Sequence, residues 1–241
     1  MTVSGNQPAT TANQPKVGSS PLSRATLLLF LGLAAAAVAN GLGKFWPEPA
    51  WMNVALILTG FAASIAALSP PLATVNVLMA AGIAAGIGGI LTAISNVTGY
   101  PLGPMEFTPA AGPRIAQLVP WWLPLVWASI ALTSRGTARF LLHNQDQHPQ
   151  HGYRVIVTAS GLAVISTILF AHFATHSDRY WKQEPTGSLF LSSGHLIHLV
   201  IQVALTALLI DKFPGKKPRN IWPALVWICS TFIFAAGWIA G

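Results

Sequence analysis

Between Tyr100 and Trp127 the chain sets one acid, Glu106, and one base, Arg114, among Tyr100, Phe107, Thr108, Trp121, Trp122 and Trp127. Prolines at 101, 104, 109, 113, 120 and 124 run through the same stretch. Each fixes φ and removes an amide donor, so the segment cannot be a regular helix and its backbone is stiff. A carboxyl buried in such an apolar loop tends to keep its proton, as a general acid must. Glu106 is the only carboxylate there; Glu48, Asp178 and Glu184 fall in plainer polar connections. The ring faces of Tyr100, Phe107, Trp121 and Trp122 can stabilise a cation forming beside them. Arg114 close by would favour the ionised carboxylate instead. It therefore stands apart from Glu106, or serves structure in an ion pair that pins the loop.

Four histidines form a second pattern. His172 and His176 are spaced i,i+4, and His195 and His198 i,i+3, which puts each pair on one helical face. If both helix ends meet at one level, four imidazoles could hold zinc, iron or haem. The plainer reading is individual interfacial histidines bonded to water and backbone, with Asp178 the only carboxylate nearby. His143, His148 and His151 sit in a Gln/Asp-rich connection and read as solvated. No phosphate-cradling loop, dinucleotide fingerprint or serine-nucleophile elbow is present, and no cofactor is expected.

A membrane bundle must position these groups. Of 241 residues, 53% are hydrophobic and 8% charged, against about 25% charged in ordinary soluble domains. Mean hydropathy is +0.56. So few charges cannot cover a soluble globule, and so apolar a chain is not disordered. The lone Cys229 excludes an intramolecular disulfide and a cysteine-based zinc finger. Residues 1–24 read as a disordered polar tail, and 25–241 as an all-α, polytopic bundle of about seven transmembrane helices. The apolar stretches are Ala25–Gly43, Ala50–Leu68, Leu72–Val97, Ile115–Leu132, Val155–Phe173, His195–Ile210 and Ile221–Ala240. Most approach the roughly 20 residues that span a bilayer, and they lack the alternation of strands. Ala37-Val38-Ala39 also resembles a signal-peptidase site, an alternative reading of the first stretch. Gly82, Gly86 and Gly89 with Ala81 and Ala85 predict a tight packing seam.

The net charge of +7 does not point to nucleic acid, because the basic residues lie in the gaps between apolar runs. Those gaps set orientation. With the N-terminus inside, Lys16, Arg24, Arg135, Arg139, Arg154, Lys212, Lys216, Lys217 and Arg219 are cytoplasmic. Lys44, Arg114, Arg179 and Lys182 face out. The C-terminus is then outside, and most of the tryptophans and tyrosines fall near the outer interface, as an aromatic belt does.

Tyr100-Pro101, Gly103, Phe107-Thr108, Gly112-Pro113-Arg114, Val119-Pro120, Leu123-Pro124 and Trp127 follow an ordered pattern. It is aromatic-Pro-x-Gly, aromatic-Thr, Gly-Pro-basic and Val-Pro-x-x-aliphatic-Pro-x-x-Trp. This resembles the signature of the carotenoid-biosynthesis membrane family that includes the carotenoid hydratases of the bisanhydrobacterioruberin and gamma-carotene type. Where that family often carries Asp after the Thr, this chain has Pro109. A second family motif matches at Phe173-Ala174-Thr175, Tyr180-Trp181 and Pro185-Thr186. It then departs: the family's Tyr-Gly-x-Pro-x-x-Asn-Phe-x-Gly-Trp is Ser192 to Gln202 here, with His198 at the Asn and Gln202 at the Trp.

The resemblance implies an integral membrane enzyme of carotenoid or isoprenoid biosynthesis that hydrates a terminal C=C of an acyclic carotenoid end group. Protonation gives a tertiary carbocation, which water captures. Glu106 and Arg114 are the candidate catalytic residues. Tyr100, Phe107, Thr108, Trp121, Trp122, Trp127 and Trp181 are the candidate substrate-binding residues. The alternatives are a non-catalytic carotenoid-binding or assembly protein, and a histidine-metal membrane oxidoreductase using His172, His176, His195 and His198. Expected partners are a carotenoid or other isoprenoid lipid, the membrane and other enzymes of the pathway, with no nucleic acid. The expected location is the cell membrane, multi-pass, in a bacterial inner membrane.

Overall fold

The computed structural model describes residues 21–43, 50–103, 105–145, 150–176, 180–183, 187–209 and 220–240. The polar tail expected over 1–24 therefore lies, up to residue 20, outside them. Seven helices dominate the described residues: α1 Pro21–Gly43, α2 Ala50–Leu68, α3 Thr74–Thr98, α4 Leu123–Leu141, α5 His151–His176, α6 Gly187–Thr206 and α7 Trp222–Ala240. Three of them, in α1, α3 and α5, are long and apolar enough to cross a membrane. Start and stop signals are local. Pro21 opens α1 and Pro124 sits in the first turn of α4, where a missing N–H costs nothing. Gly99 closes α3 in the left-handed region at φ 73°, its N–H reaching the Ser95 carbonyl, as a C-terminal glycine does.

Two helices depart most from the sequence reading. The fourth helix, expected over Ile115–Leu132, runs over Leu123–Leu141. Ile115 instead enters a hairpin with Val119, β2 Arg114–Ile115 against β3 Val119–Pro120, because proline ends the helical option there. At its other end α4 continues through Arg135, which is buried inside the bundle and not in a cytoplasmic connection. The sixth helix begins at Gly187, eight residues ahead of the expected His195. A further strand pair, β1 Met105–Phe107 with β4 Trp181–Gln183, is antiparallel with Glu106 opposite Lys182. It joins the α3–α4 connection to the α5–α6 connection.

α4 lies at the centre, touching α2, α3, α5, α6 and α7. α1 packs on α2 and α7 through Leu27, Phe30 and Ala34 against Ala63, Ala67 and Val226. The small-residue seam of α3 exists in part: Ala81 is buried, and a Cβ on Gly89 would come 3.2 Å from the Pro124 side chain of α4. Gly82 and Gly86 are exposed with open space where a side chain would stand. The buried line is Val77, Ala81, Ala84, Gly88, Thr92 and Ser95, at the three- and four-residue spacing of one helical face. A Cβ on Gly88 would come 2.3 Å from the Trp127 side chain of α4. That approach lets Trp127 Nε1 donate to Thr92 Oγ1 at 3.2 Å. Gly88→Ala should therefore destabilise the bundle by about 1–3 kcal/mol through overpacking, whereas Gly82→Ala should not. Thermal unfolding of both variants in detergent checks this; equal melting temperatures would contradict the packing.

Candidate functional site

The two connections that carry the sequence motifs meet over one end of the bundle. Beyond the β1–β4 pairing, the Thr108 N–H donates to the Tyr180 carbonyl at 2.8 Å, and its hydroxyl to the same oxygen at 3.2 Å. The Tyr180 N–H in turn donates to the Ala174 carbonyl at the end of α5 at 2.7 Å. A proline-rich loop is short of amide donors, so its carbonyls need partners from elsewhere. Side chains supply them. Arg114 Nη2 donates to the Phe107 carbonyl and, at 3.4 Å, to that of Thr108. Trp122 Nε1 donates to the Ala111 carbonyl at 2.9 Å, and Asn96 Nδ2 to the Leu118 carbonyl at 3.0 Å.

Below this cover lies a joined set of rings. Phe107 meets Trp181 edge-on at 5.8 Å, Trp181 meets Phe170 at 5.5 Å, and Trp122 meets Tyr180 at 5.0 Å. Two apolar cavities open beneath them. The larger, a groove of about 730 Å³ counting its mouth, runs between α2, α4, α5 and α7. Phe170, Phe173, Tyr180, Trp122 and Phe234 line its upper part. The smaller, about 400 Å³ with its mouth counted likewise, is lined by Met105, Trp127, Thr167 and Trp181 among others. Val126, Ile130 and Phe170 belong to both walls.

The structure sorts the candidate residues. Phe107, Trp122, Trp127 and Trp181 are buried, Thr108 and Trp121 are half-buried, and Tyr100 is exposed at 62%. Trp122, Trp127 and Trp181 line a cavity. Glu106 does not. Its strand alternates buried, exposed, buried, and Glu106 takes the exposed position, so the apolar burial expected around its carboxyl is not what surrounds it. Arg114 holds backbone carbonyls, and among the described residues no Glu106–Arg114 pair forms. The histidines are dispersed. His195 is exposed, His198 fully buried and His172 half-buried, while the His176 side chain lies outside the described residues. Among the described residues no group of three or more His, Cys, Asp or Glu converges to hold a metal.

Two positions of the second motif that depart from the family pattern, His198 and Gln202, are fully buried. Thr167 spends its hydroxyl proton on the Ala163 carbonyl at 2.9 Å, so its oxygen accepts from His198 Nε2 at 2.7 Å. The Trp127 ring stacks on this imidazole at 5.1 Å. One turn on, Gln202 Nε2 donates to the Ala131 carbonyl at 2.9 Å. Arg135 Nη1 donates to the Gln202 carbonyl at 2.9 Å and to its Oε1 at 3.4 Å, and Arg135 Nη2 to Thr206 Oγ1 at 3.3 Å. This polar column between α4 and α6 escaped the sequence reading. Its signal was the i,i+4 series Trp127, Ala131, Arg135 facing His198, Gln202, Thr206. An arginine so deep in a bundle is costly without such donors and acceptors around it.

A family model described as "Carotenoid biosynthesis protein" matches residues 52–240 of the chain. No curated protein and no solved structure matches.

The geometry gives Arg114 and Glu106 different weights. Arg114→Ala strips two hydrogen bonds from loop carbonyls, and because the side chain is exposed the loss is about 0.5–1.5 kcal/mol in all. It should lower the melting temperature clearly, while Glu106→Gln, at an exposed position, should leave it within about 0.5 kcal/mol of wild type. Thermal unfolding in detergent reads both; a stable Arg114→Ala protein would contradict the bracing role.

Proposed function

Because the chain belongs to the carotenoid biosynthesis protein family, we propose that it is an integral membrane protein that takes the end group of an acyclic carotenoid into the groove beneath the paired loops. The observation that carries this is the groove itself, apolar and roofed by Trp122, Phe170, Phe173, Tyr180 and Phe234. A polyene offers no hydrogen bonds along its chain, so recognition rests on apolar burial and ring contact.

In the finer reading the protein hydrates the terminal alkene. A proton adds to the alkene carbon bearing the single hydrogen, leaving a tertiary carbocation, and water closes the C–O bond with loss of a proton. The ring faces of Trp122 and Tyr180 stand where a cation in the groove would be stabilised. Glu106 serves this reading as a proton source at the aqueous rim of the loops. One observation favours the second reading, a carotenoid-binding protein without catalysis: no carboxylate among the described residues lines either cavity.

Expression in a lycopene-making host separates them. Hydration predicts hydroxylated carotenoid with wild type, a drop of about 10²-fold or more with Glu106→Gln, and none with Ile57→Trp, which fills the groove from α2. Co-purifying carotenoid without new product, lost in Ile57→Trp, supports the binding reading. Wild-type behaviour of Ile57→Trp would remove the groove from the function.

The same proposal sets all seven helices across the membrane with the paired loops outside and the N-terminus in the cytoplasm. Single cysteines at Gly103 and Gly187, in a Cys229→Ser background, should react with an impermeant reagent from the outer side. Labelling of either from the cytoplasmic side alone would overturn this orientation.

A further inference from the structure

The groove is graded along its length. Phe170 of α5 meets Phe234 of α7 at 5.1 Å and Trp122 at 6.3 Å, which fixes these three rings at one level near the loops. One helical turn further in, at about 1.5 Å per residue, come Ser166 below Phe170 and Ser230 below Phe234. α4 and α7 are also in register deeper down, because a Cβ on Gly136 would lie 2.3 Å from the Pro223 side chain. Thr133 stands three residues above Gly136 and Trp227 four above Pro223, so the two share a level within about 2 Å. Ser166, Ser230, Thr133 and Trp227 all line the groove. Its inner end thus carries hydroxyls and an indole N–H, while its loop end is mostly aromatic with Asn53 of α2 as the polar group there.

The polarity has a sense. Thr133 Oγ1 donates to the Ser129 carbonyl at 2.6 Å, Ser166 Oγ to that of Leu162 at 3.2 Å, and Ser230 Oγ to that of Val226 at 2.9 Å. Each hydroxyl has a single proton, and each spends it on its own helix, so these oxygens offer the groove lone pairs only. Near the level of Thr133, and about one turn below Ser166 and Ser230, Trp227 Nε1 is a buried N–H with no acceptor among the described residues. Buried donors are ordinarily paired. One donor beside several acceptors matches an alcohol, whose oxygen accepts while its proton is donated. A hydrocarbon completes neither half, and a carbonyl completes only the indole.

We propose that the inner end of the groove is a hydroxyl subsite, which admits an isoprenoid whose end group carries an alcohol. The ligand oxygen accepts from Trp227 Nε1–H, and its proton goes to Thr133 or Ser166 Oγ. This rests on the groove being the polyene site and pairs with its binding reading, because Thr133 lies eleven residues, about 16 Å, along α4 from the Trp122 level at which the hydration reading sets the alkene. It names the end group held there and the residues that distinguish it from the hydrocarbon.

The test titrates purified full-length protein in nanodiscs with two probes, lycopene and its monohydroxylated derivative, a tertiary alcohol on the terminal isoprenoid unit. Polyene absorbance retained after gel filtration is the readout. Wild type should hold the alcohol about tenfold more tightly, the worth of one or two net hydrogen bonds. Trp227→Phe, which keeps a large ring and deletes the N–H, should bring the ratio close to one, and Thr133→Val should reduce it. Equal affinity for both probes in wild type, as a water-filled inner end would give, overturns the subsite and leaves the groove reading intact. An unchanged ratio in both variants overturns the assignment of these residues. Retention of neither probe, or of both equally well in Ile57→Trp, overturns the groove reading and the subsite with it.

Discussion

Everything at the site depends on two proline-rich and aromatic connections being tied to each other by backbone hydrogen bonds. β1 and β4 are only three residues long, and a pair so short is not stable alone. It holds because its neighbours are fixed: the Tyr180 N–H is anchored on the Ala174 carbonyl, Arg114 fills two carbonyls, and Trp122 reaches back to Ala111. Much of the family-like signature is therefore the hardware of a cover. The prolines limit the conformations of the loop, and Thr108, Arg114 and Trp122 supply the hydrogen bonds that proline cannot. Once the cover is closed, Phe107, Trp181, Phe170 and Trp122 become one continuous aromatic layer, and the space left under it is apolar because helix faces line it.

The bundle divides its labour around α4. On the side toward α2, α5 and α7 this helix faces the groove with Val126, Ser129, Ile130 and Thr133. On the side toward α6 it carries Trp127 and Arg135, joined to His198 and Gln202. Residues a few positions apart thus serve a ligand space and a polar column in turn, as 3.6-residue periodicity allows. Hydrogen bonds from Gln202 and Arg135 across this column hold the two helices in one relative position.

Much of this was legible in the chain. Ala50–Leu68 was an apolar run before it was a helix with the same ends; charge counting set the two motif-bearing connections on one face, and their strand pairing came only with the structure. Charge counting also misled. Arg135 read as the start of a cytoplasmic segment because a charge inside a membrane helix is costly; its partners on α6, 67 and 71 residues away, are invisible to a local reading. Gly82 and Gly86 looked like the seam of α3 by spacing, yet the buried face is the one that holds Gly88, since the bulk of Trp127 decides where a glycine is required. Glu106 looked like a buried acid because its neighbours are apolar. A strand turns alternate residues to opposite faces, and pairing with Lys182 placed Glu106 on the outer one.

The claim that the paired loops cover the polyene site is tested most directly by an experimental structure of the full chain, purified in nanodiscs with an acyclic carotenoid bound. The account predicts elongated density between α2, α4, α5 and α7, with one end beneath Trp122 and Phe170 and the other beside Trp227. Carotenoid density confined to the outer, lipid-facing surface of the helices, with the groove closed, would contradict it.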